Sequence, residues 1–270
     1  VISQAGKRLK DFPVETNGQA LVEAVRMIPG EKHLVFEEGL QSAWLYETLC
    51  PHVAEIVVAG VTESRGQKSD QRDAYGLAEK LRSATLAKRI FKAPRQFSRL
   101  RELSRIHLTL VEDVVRAQSR IKSLYRARGI ATPGAEVYRP RHREPWQKQL
   151  GSVAQSRATR LYEHLDFLIE QKERAESDLL REARKHPIVP ILETAPGFGP
   201  IRSARLVPIV VTPHRFRTKR QFWSYCGLGI VTRSSSDWVR ADGQWIRARV
   251  PQTRGLSRQY NHVLKSLFKG

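Results

Sequence analysis

Lys68-Ser69-Asp70-Gln71-Arg72-Asp73-Ala74 decides how the first third of the chain is read. The seven residues open a predicted helix on which Asp70 and Asp73, three positions apart, share one face with Cβ atoms roughly 5–6 Å from each other. Two carboxylates that close repel unless a cation or a hydrogen-bond donor lies between them. Their oxygens suit a hard divalent ion such as Mg²⁺, which takes one or two protein carboxylates alongside phosphate oxygens. The same letters also spell an ordinary helix start, with Ser69 as the cap and acids in the first turn favoured by the helix dipole. Spacing alone leaves both readings open.

The residues upstream tip the balance. His33–Phe36 is a short apolar run that closes on Glu37-Glu38-Gly39, and Glu55-Ile56-Val57-Val58-Ala59-Gly60 is a second. Helical patterns lie between and around them: one begins at Asn17-Gly18 with Leu21, Val22, Val25 and Ile28, another carries Trp44, Leu45 and Leu49. Strands alternating with helices imply parallel βα units, whose functional groups gather at the carboxyl ends of the strands. Glu37 and the loop feeding Asp70 both lie at that end. Val1–Ile2 and Leu9–Val14 read as further strand fragments around a Gly6-Lys7 turn.

Charge is partitioned along the chain. The net charge is +20, which calls for a polyanionic partner. Residues 1–81 hold 9 basic and 12 acidic side chains, residues 82–128 hold 13 and 3, and residues 184–270 hold 16 and 3. An acidic unit carrying the Asp pair therefore stands beside two basic ones, as a metal site next to phosphate-binding surfaces would. The plainer alternative is a generically basic protein. Two isolated cysteines, Cys50 and Cys226, form no zinc ligand set and fit a reducing cytoplasm. No apolar run of 18 residues appears, so no membrane span is expected.

Within the first basic region, Leu100, Leu103, His107, Leu110, Val114, Ala117, Ile121 and Leu124 follow one another at intervals of three and four, and Ala158, Leu161, Leu165, Leu168, Lys172, Ala175 and Leu179 repeat the pattern in the neutral span after it. Joined by the Pro-, Gly- and Arg-rich stretch 129–145, the two rows predict an antiparallel coiled-coil hairpin, a ready device for homo-oligomerisation. His107 reads as a tolerated core residue. Further on, Pro196-Gly197-Phe198-Gly199-Pro200 separates two apolar segments. A Gly-x-Gly turn at a helix start points backbone N–H groups outward as a phosphate cradle, a helix-hairpin-helix-like feature backed by Arg202, Arg205, Arg217, Lys219 and Arg220. Thr218 then caps a helix that stops at Gly227. The serines 234–236 read by themselves as a loop, with no histidine at triad spacing.

In this order and spacing, the strand-end acid of Phe36-Glu37-Glu38-Gly39, the Asp70-x-x-Asp73-Ala74 helix start, the long helical insertion, the Pro196–Pro200 turn, the run Phe222–Leu228 and the serine cluster resemble an insertion-sequence transposase that pairs a DEDD carboxylate domain with a C-terminal catalytic-serine domain. The resemblance implies an α/β plus α chain: an RNase H-like domain over 1–93, the coiled-coil hairpin over 94–185 and a helical transposase domain over 186–270. It implies Mg²⁺ held by Glu37 (Glu38 the register alternative), Asp70 and Asp73. It further implies a serine nucleophile at Ser235 and a structured non-coding RNA that chooses the DNA. The family's first acid belongs on a strand ahead of Val1, and further helices are expected beyond Gly270, so the chain is expected to be clipped at both ends. Two other readings stay open on the residues: a metal-dependent junction nuclease, and a non-catalytic nucleic-acid scaffold.

Overall fold

The computed structural model describes residues 1–61, 69–232, 238–247 and 253–269. It divides into two compact units, Val1–Arg95 and Gln96–Gly270.

In the first unit, Ile2 and Arg8 meet in an isolated antiparallel bridge, and residues 9–14 do not extend it into a strand. The anticipated fragments thus shrink to one turn. Asn17 accepts a hydrogen bond from the Ala20 amide at 2.8 Å and starts α1 (Gly18–Arg26). Next come β1 (His33–Glu37), α2 (Ser42–Leu49), β2 (Glu55–Ala59), α3 (Asp70–Arg82) and β3 (Arg89–Ile90). β1 and β2 pair in parallel with His33 opposite Glu55 and Glu37 opposite Ala59. β3 adds to β2 antiparallel, giving the order β1-β2-β3. Val57, Val58 and Ala59 are buried, as a βα strand covered by helices requires. α3 packs against β1, which sets Asp70 and Asp73 on the helix that covers the Glu37 strand.

The second unit is built on α4 (Ser98–Arg126) and α6 (Ser152–Ala183), helices of 29 and 32 residues. They run antiparallel: Arg99 Nε reaches Glu182 at 3.1 Å near one end, and the Tyr125 and Tyr162 hydroxyls meet at 3.1 Å near the other. Leu100, Ala117, Ile121 and Leu124 of the first row are buried, as are Ala158, Leu165, Leu168, Ala175 and Leu179 of the second. The 3-4 spacing thus buries one stripe of each helix against the other. The stretch expected as a plain loop instead folds over the hairpin tip, with α5 (Arg143–Gln147) following two short 3₁₀ turns. Val137 and Arg143 are buried there.

At the hairpin's other end lie α7 (Ile188–Glu193) and α8 (Pro200–Val210), the latter packed on α4 and α6. α9 (Lys219–Tyr225) is capped by the Thr218 hydroxyl, which accepts from the Gln221 amide at 3.3 Å. β4 (Ile230–Thr232), β5 (Trp238–Ala241), β6 (Gln244–Arg247), β7 (Thr253–Leu256) and α10 (His262–Lys269) complete the unit. β4 pairs with β7, and β5 with β6, both antiparallel. Leu206, Val210, Cys226, Leu264 and Leu267 form the core here, enclosed by Phe198, Phe216, Phe222, Tyr225 and Phe268. Arg215, one of the basic residues of this region, stacks on Phe216 and Tyr225 at 4.2 and 4.8 Å and donates to the Val210 carbonyl. Its guanidinium braces the core.

Candidate acidic site and nucleic-acid-binding surface

The acids of the first unit differ sharply in their surroundings. Glu37 is the last residue of β1 and exposed. Glu38, one step on, receives Lys92 Nζ at 2.7 and 2.9 Å, and Lys92 also donates to the Ser42 hydroxyl at 2.8 Å. The Lys92 side chain is only 11% exposed. A lysine side chain with so little exposure needs an oxygen partner, and Glu38 with Ser42 supplies it. Of the two register candidates, Glu38 is the one engaged with Lys92, and Glu37 is exposed.

Ser69 takes the extended backbone of a cap residue, but its side chain makes no capping hydrogen bond. The first helical bond runs from the Asp73 amide to the Ser69 carbonyl at 2.9 Å. Asp70 and Asp73 therefore stand in the first turn of α3, both exposed. The structure brings these two together on one turn. Among the described residues, no three His, Cys, Asp or Glu side chains are grouped so as to hold a metal ion, and Glu37 does not complete a set with them. The donor types suit a hard divalent ion, but Asp70 and Asp73 amount to a pair of ligands rather than a closed site.

At the opposite, amino end of the strands, His33 Nδ1 lies 2.9 Å from Glu55 and Arg89 reaches the same carboxylate at 3.2 Å. The bond to Glu55 raises the His33 pKa, and that to His33 lowers the Glu55 pKa. Neither this cluster nor the Lys92 pairing is visible in the sequence, because the partners lie tens of residues apart in the chain.

In the second unit, Gly197 adopts a left-handed backbone with φ of 81° and Gly199 is the extended cap of α8. A side chain at Gly199 would meet nothing within 4 Å, so the turn lies open toward solvent. Arg202 donates to the Gly197 carbonyl at 2.7 Å and pins the turn. Arg205 is half-buried, with burial lowering its pKa against the opposing pull of Glu112. Arg217, Lys219 and Arg220 are exposed around the start of α9. The predicted basic set thus divides into Arg202 and Arg205, which engage the fold, and three cations presented to solvent.

The chain approaches the serines through Gly227-Leu228-Gly229. Gly227 has φ of 71°, and a Cβ there would come within 2.7 Å of the Tyr260 ring. A Cβ at Gly229 would lie 2.9 Å from Ser224 Cα. Only glycine fits either position. Ser234, Ser235 and Ser236 lie outside the described residues.

The DEDD transposase model of the IS110 type matches residues 1–127, and the transposase model of the IS116/IS110/IS902 family matches residues 189–265. The chain belongs to this transposase family. It is accordingly a DNA-recombining enzyme, and the first unit's parallel β1–β2 pair with α3 upon it fits the RNase H-like fold of a DEDD domain. Domains of this type typically use divalent metal ions. No curated protein matches the transposase. No helix among the described residues is long and apolar enough to cross a membrane.

Proposed function

We propose that this transposase cleaves and rejoins DNA through a serine–phosphate intermediate, with Ser235 as nucleophile and Glu37, Asp70 and Asp73 supplying oxygen ligands to Mg²⁺. The observation that carries the acidic half is the placement of Glu37 at the carboxyl end of β1, with Asp70 and Asp73 opening the helix packed on that strand. The involvement of Glu38 with Lys92 favours Glu37 over its neighbour. When bound, the ion supplies positive charge to the phosphate oxygens as negative charge develops there.

The chain's own chemistry is a pair of displacements. The Ser235 oxygen bonds to phosphorus as its proton leaves, and the P–O bond to the departing strand breaks. That strand leaves as a free hydroxyl after taking up a proton. In the second displacement a hydroxyl of the incoming strand attacks the same phosphorus and Ser235 regains its proton. No net hydrolysis occurs, so bond energy is conserved for rejoining. The glycines at 227 and 229 hold the approach to this segment tightly against Tyr260 and Ser224. The exposed Arg217, Lys219 and Arg220, with the Gly197–Gly199 turn that Arg202 pins, grip the DNA backbone. A structured non-coding guide RNA selects the DNA sites, and the long helical hairpin joins copies of the transposase in a homo-oligomer.

The test is a trapped adduct. With cognate RNA, donor and target supplied and rejoining blocked, denaturing gels should show a slow protein–DNA band that Ser235→Ala abolishes and Ser234→Ala or Ser236→Ala preserves. Loss at Ser236 would move the nucleophile by one position. Cleavage without an adduct in any version would replace the serine mechanism by hydrolysis.

A further inference from the structure

The β5–β6 hairpin presents an exposed aromatic face. Its register places Trp238 opposite Arg247 and Arg240 opposite Trp245. Positions 238, 240 and 245 therefore share a face on which Arg240 lies between two tryptophans, one on its own strand and one opposite it. Trp238 is 54% exposed and Trp245 65%, and Arg240 is also exposed. Asp242 and Gly243 close the turn with φ of 51° and 79°, the pair of left-handed residues that a two-residue hairpin needs. That turn fixes the register, and a slip by one residue would carry both tryptophans to the other face. Among the described strands, β5 and β6 pair only with each other.

We infer that this face is a binding platform for unpaired DNA. Two indole rings left in water on a ribbon that pairs with no other described strand are a binding surface lacking its ligand. Arg240 between the two rings and the excess of 16 basic over 3 acidic side chains in residues 184–270 make that ligand an anion. Indole faces stack on bases and guanidinium groups take the phosphates between them. In a duplex the base faces are already occupied by their neighbours, so the platform selects strands that have opened. DNA, rather than another single-stranded polymer, is the occupant because the family recombines DNA.

The test uses the full chain and fluorescence anisotropy with a labelled single-stranded DNA, the matching duplex and an RNA of the same sequence. Trp238→Ala and Trp245→Ala should each weaken single-strand binding by about 5- to 150-fold, the equivalent of roughly 1–3 kcal/mol per stacked base. Duplex binding should change by less than about twofold, and Trp238→Phe should retain most of the affinity. Melting temperatures should match the parent, because neither ring packs in the core. The inference is overturned if the double alanine variant binds single strands as the parent does, or loses duplex and single strand equally. Tighter binding and greater tryptophan dependence on RNA would overturn the assignment to DNA. Ser235→Ala should bind normally, so the platform and the nucleophile stand or fall separately.

Discussion

His107→Leu should make the second unit more stable. The imidazole sits on the buried stripe of α4 and is 3% exposed. Among the described residues neither ring nitrogen has a hydrogen-bond partner at normal length, the nearest contact being Nε2 to the Glu176 carboxylate at 3.5 Å. A buried polar atom without a partner costs about 1–3 kcal/mol, and leucine fills a similar volume with apolar surface. Glu176 is not stranded by the change, because Lys172 Nζ lies 4.0 Å away. A net gain of about 1–3 kcal/mol follows, which for a unit of roughly 150–250 residues raises Tm by about 2–4 °C per kcal/mol. The charged groups around the ring are Glu176 and Lys172 of α6 and Arg205 of α8, the last facing Glu112 of α4. Burial lowers the His107 pKa, with Glu176 pulling the other way. The unfolded chain, with an ordinary histidine pKa near 6.5, then binds more protons than the folded one as the solution is acidified. The stability contributed by neutral His107 is complete above about pH 6.5 and declines as pH falls from there toward the folded pKa. Differential scanning calorimetry of parent and variant from pH 8 to pH 5 reads both effects, and comparing the pair cancels the opposite contribution of His33. Equal melting temperatures with parallel pH profiles would show that His107 has found a partner, and the reasoning would fail.

Three further outcomes are expected. Mn²⁺ or Mg²⁺ should raise the melting temperature of the transposase by mass action on the native state, and Asp70→Asn with Asp73→Asn should remove the rise; an ion-independent melt of the parent would count against the acidic site. Arg143→Ala should destabilise the hairpin by about 2–4 kcal/mol in a denaturant titration, since Arg143 grips both Asp166 oxygens at 2.6 Å and donates to the Tyr138 carbonyl. Lysine should rescue little of it, lacking the planar fork. Arg217→Gln, Lys219→Gln and Arg220→Gln together should flatten the dependence of log K for duplex DNA on log salt by about 2–3, near 0.9 for each phosphate no longer neutralised; an unchanged slope would place the DNA backbone on other cations.

What the sequence revealed and what it hid divide along lines of range. Leu100, Ile121, Leu124, Ala158, Leu165 and Leu179 are all buried because a 3-4 spacing is a local property of one helix. The parallel register of β1 and β2 follows from alternation with helices of about ten residues. Arg143 is unreadable: a guanidinium in a stretch rich in Pro, Gly and Arg signals a loop, and only Asp166, on another helix, makes burial tolerable. Lys92 is hidden likewise by its distance from Glu38. β3 spans two residues, too few for any alternation to show. The β5–β6 hairpin does carry a local signal, Asp242-Gly243 between alternating residues, which the neighbouring serine cluster overshadows. For the acids, the sequence names Glu37, Asp70 and Asp73 but cannot give their separation, which depends on how α3 seats on β1.

The long hairpin is fastened at both ends and plain in between. At its tip, Arg143 stacks on Tyr162 at 4.5 Å while Tyr162 meets Tyr125, and at its root α8 packs against both helices. With 29 residues in α4, the arm is about 43 Å long at 1.5 Å per residue. An arm locked at the tip cannot absorb a load by splaying its ends. The two helices are thus held to each other at both ends, and the helix that seats at the root, Pro200–Val210, begins at the Gly197–Gly199 turn.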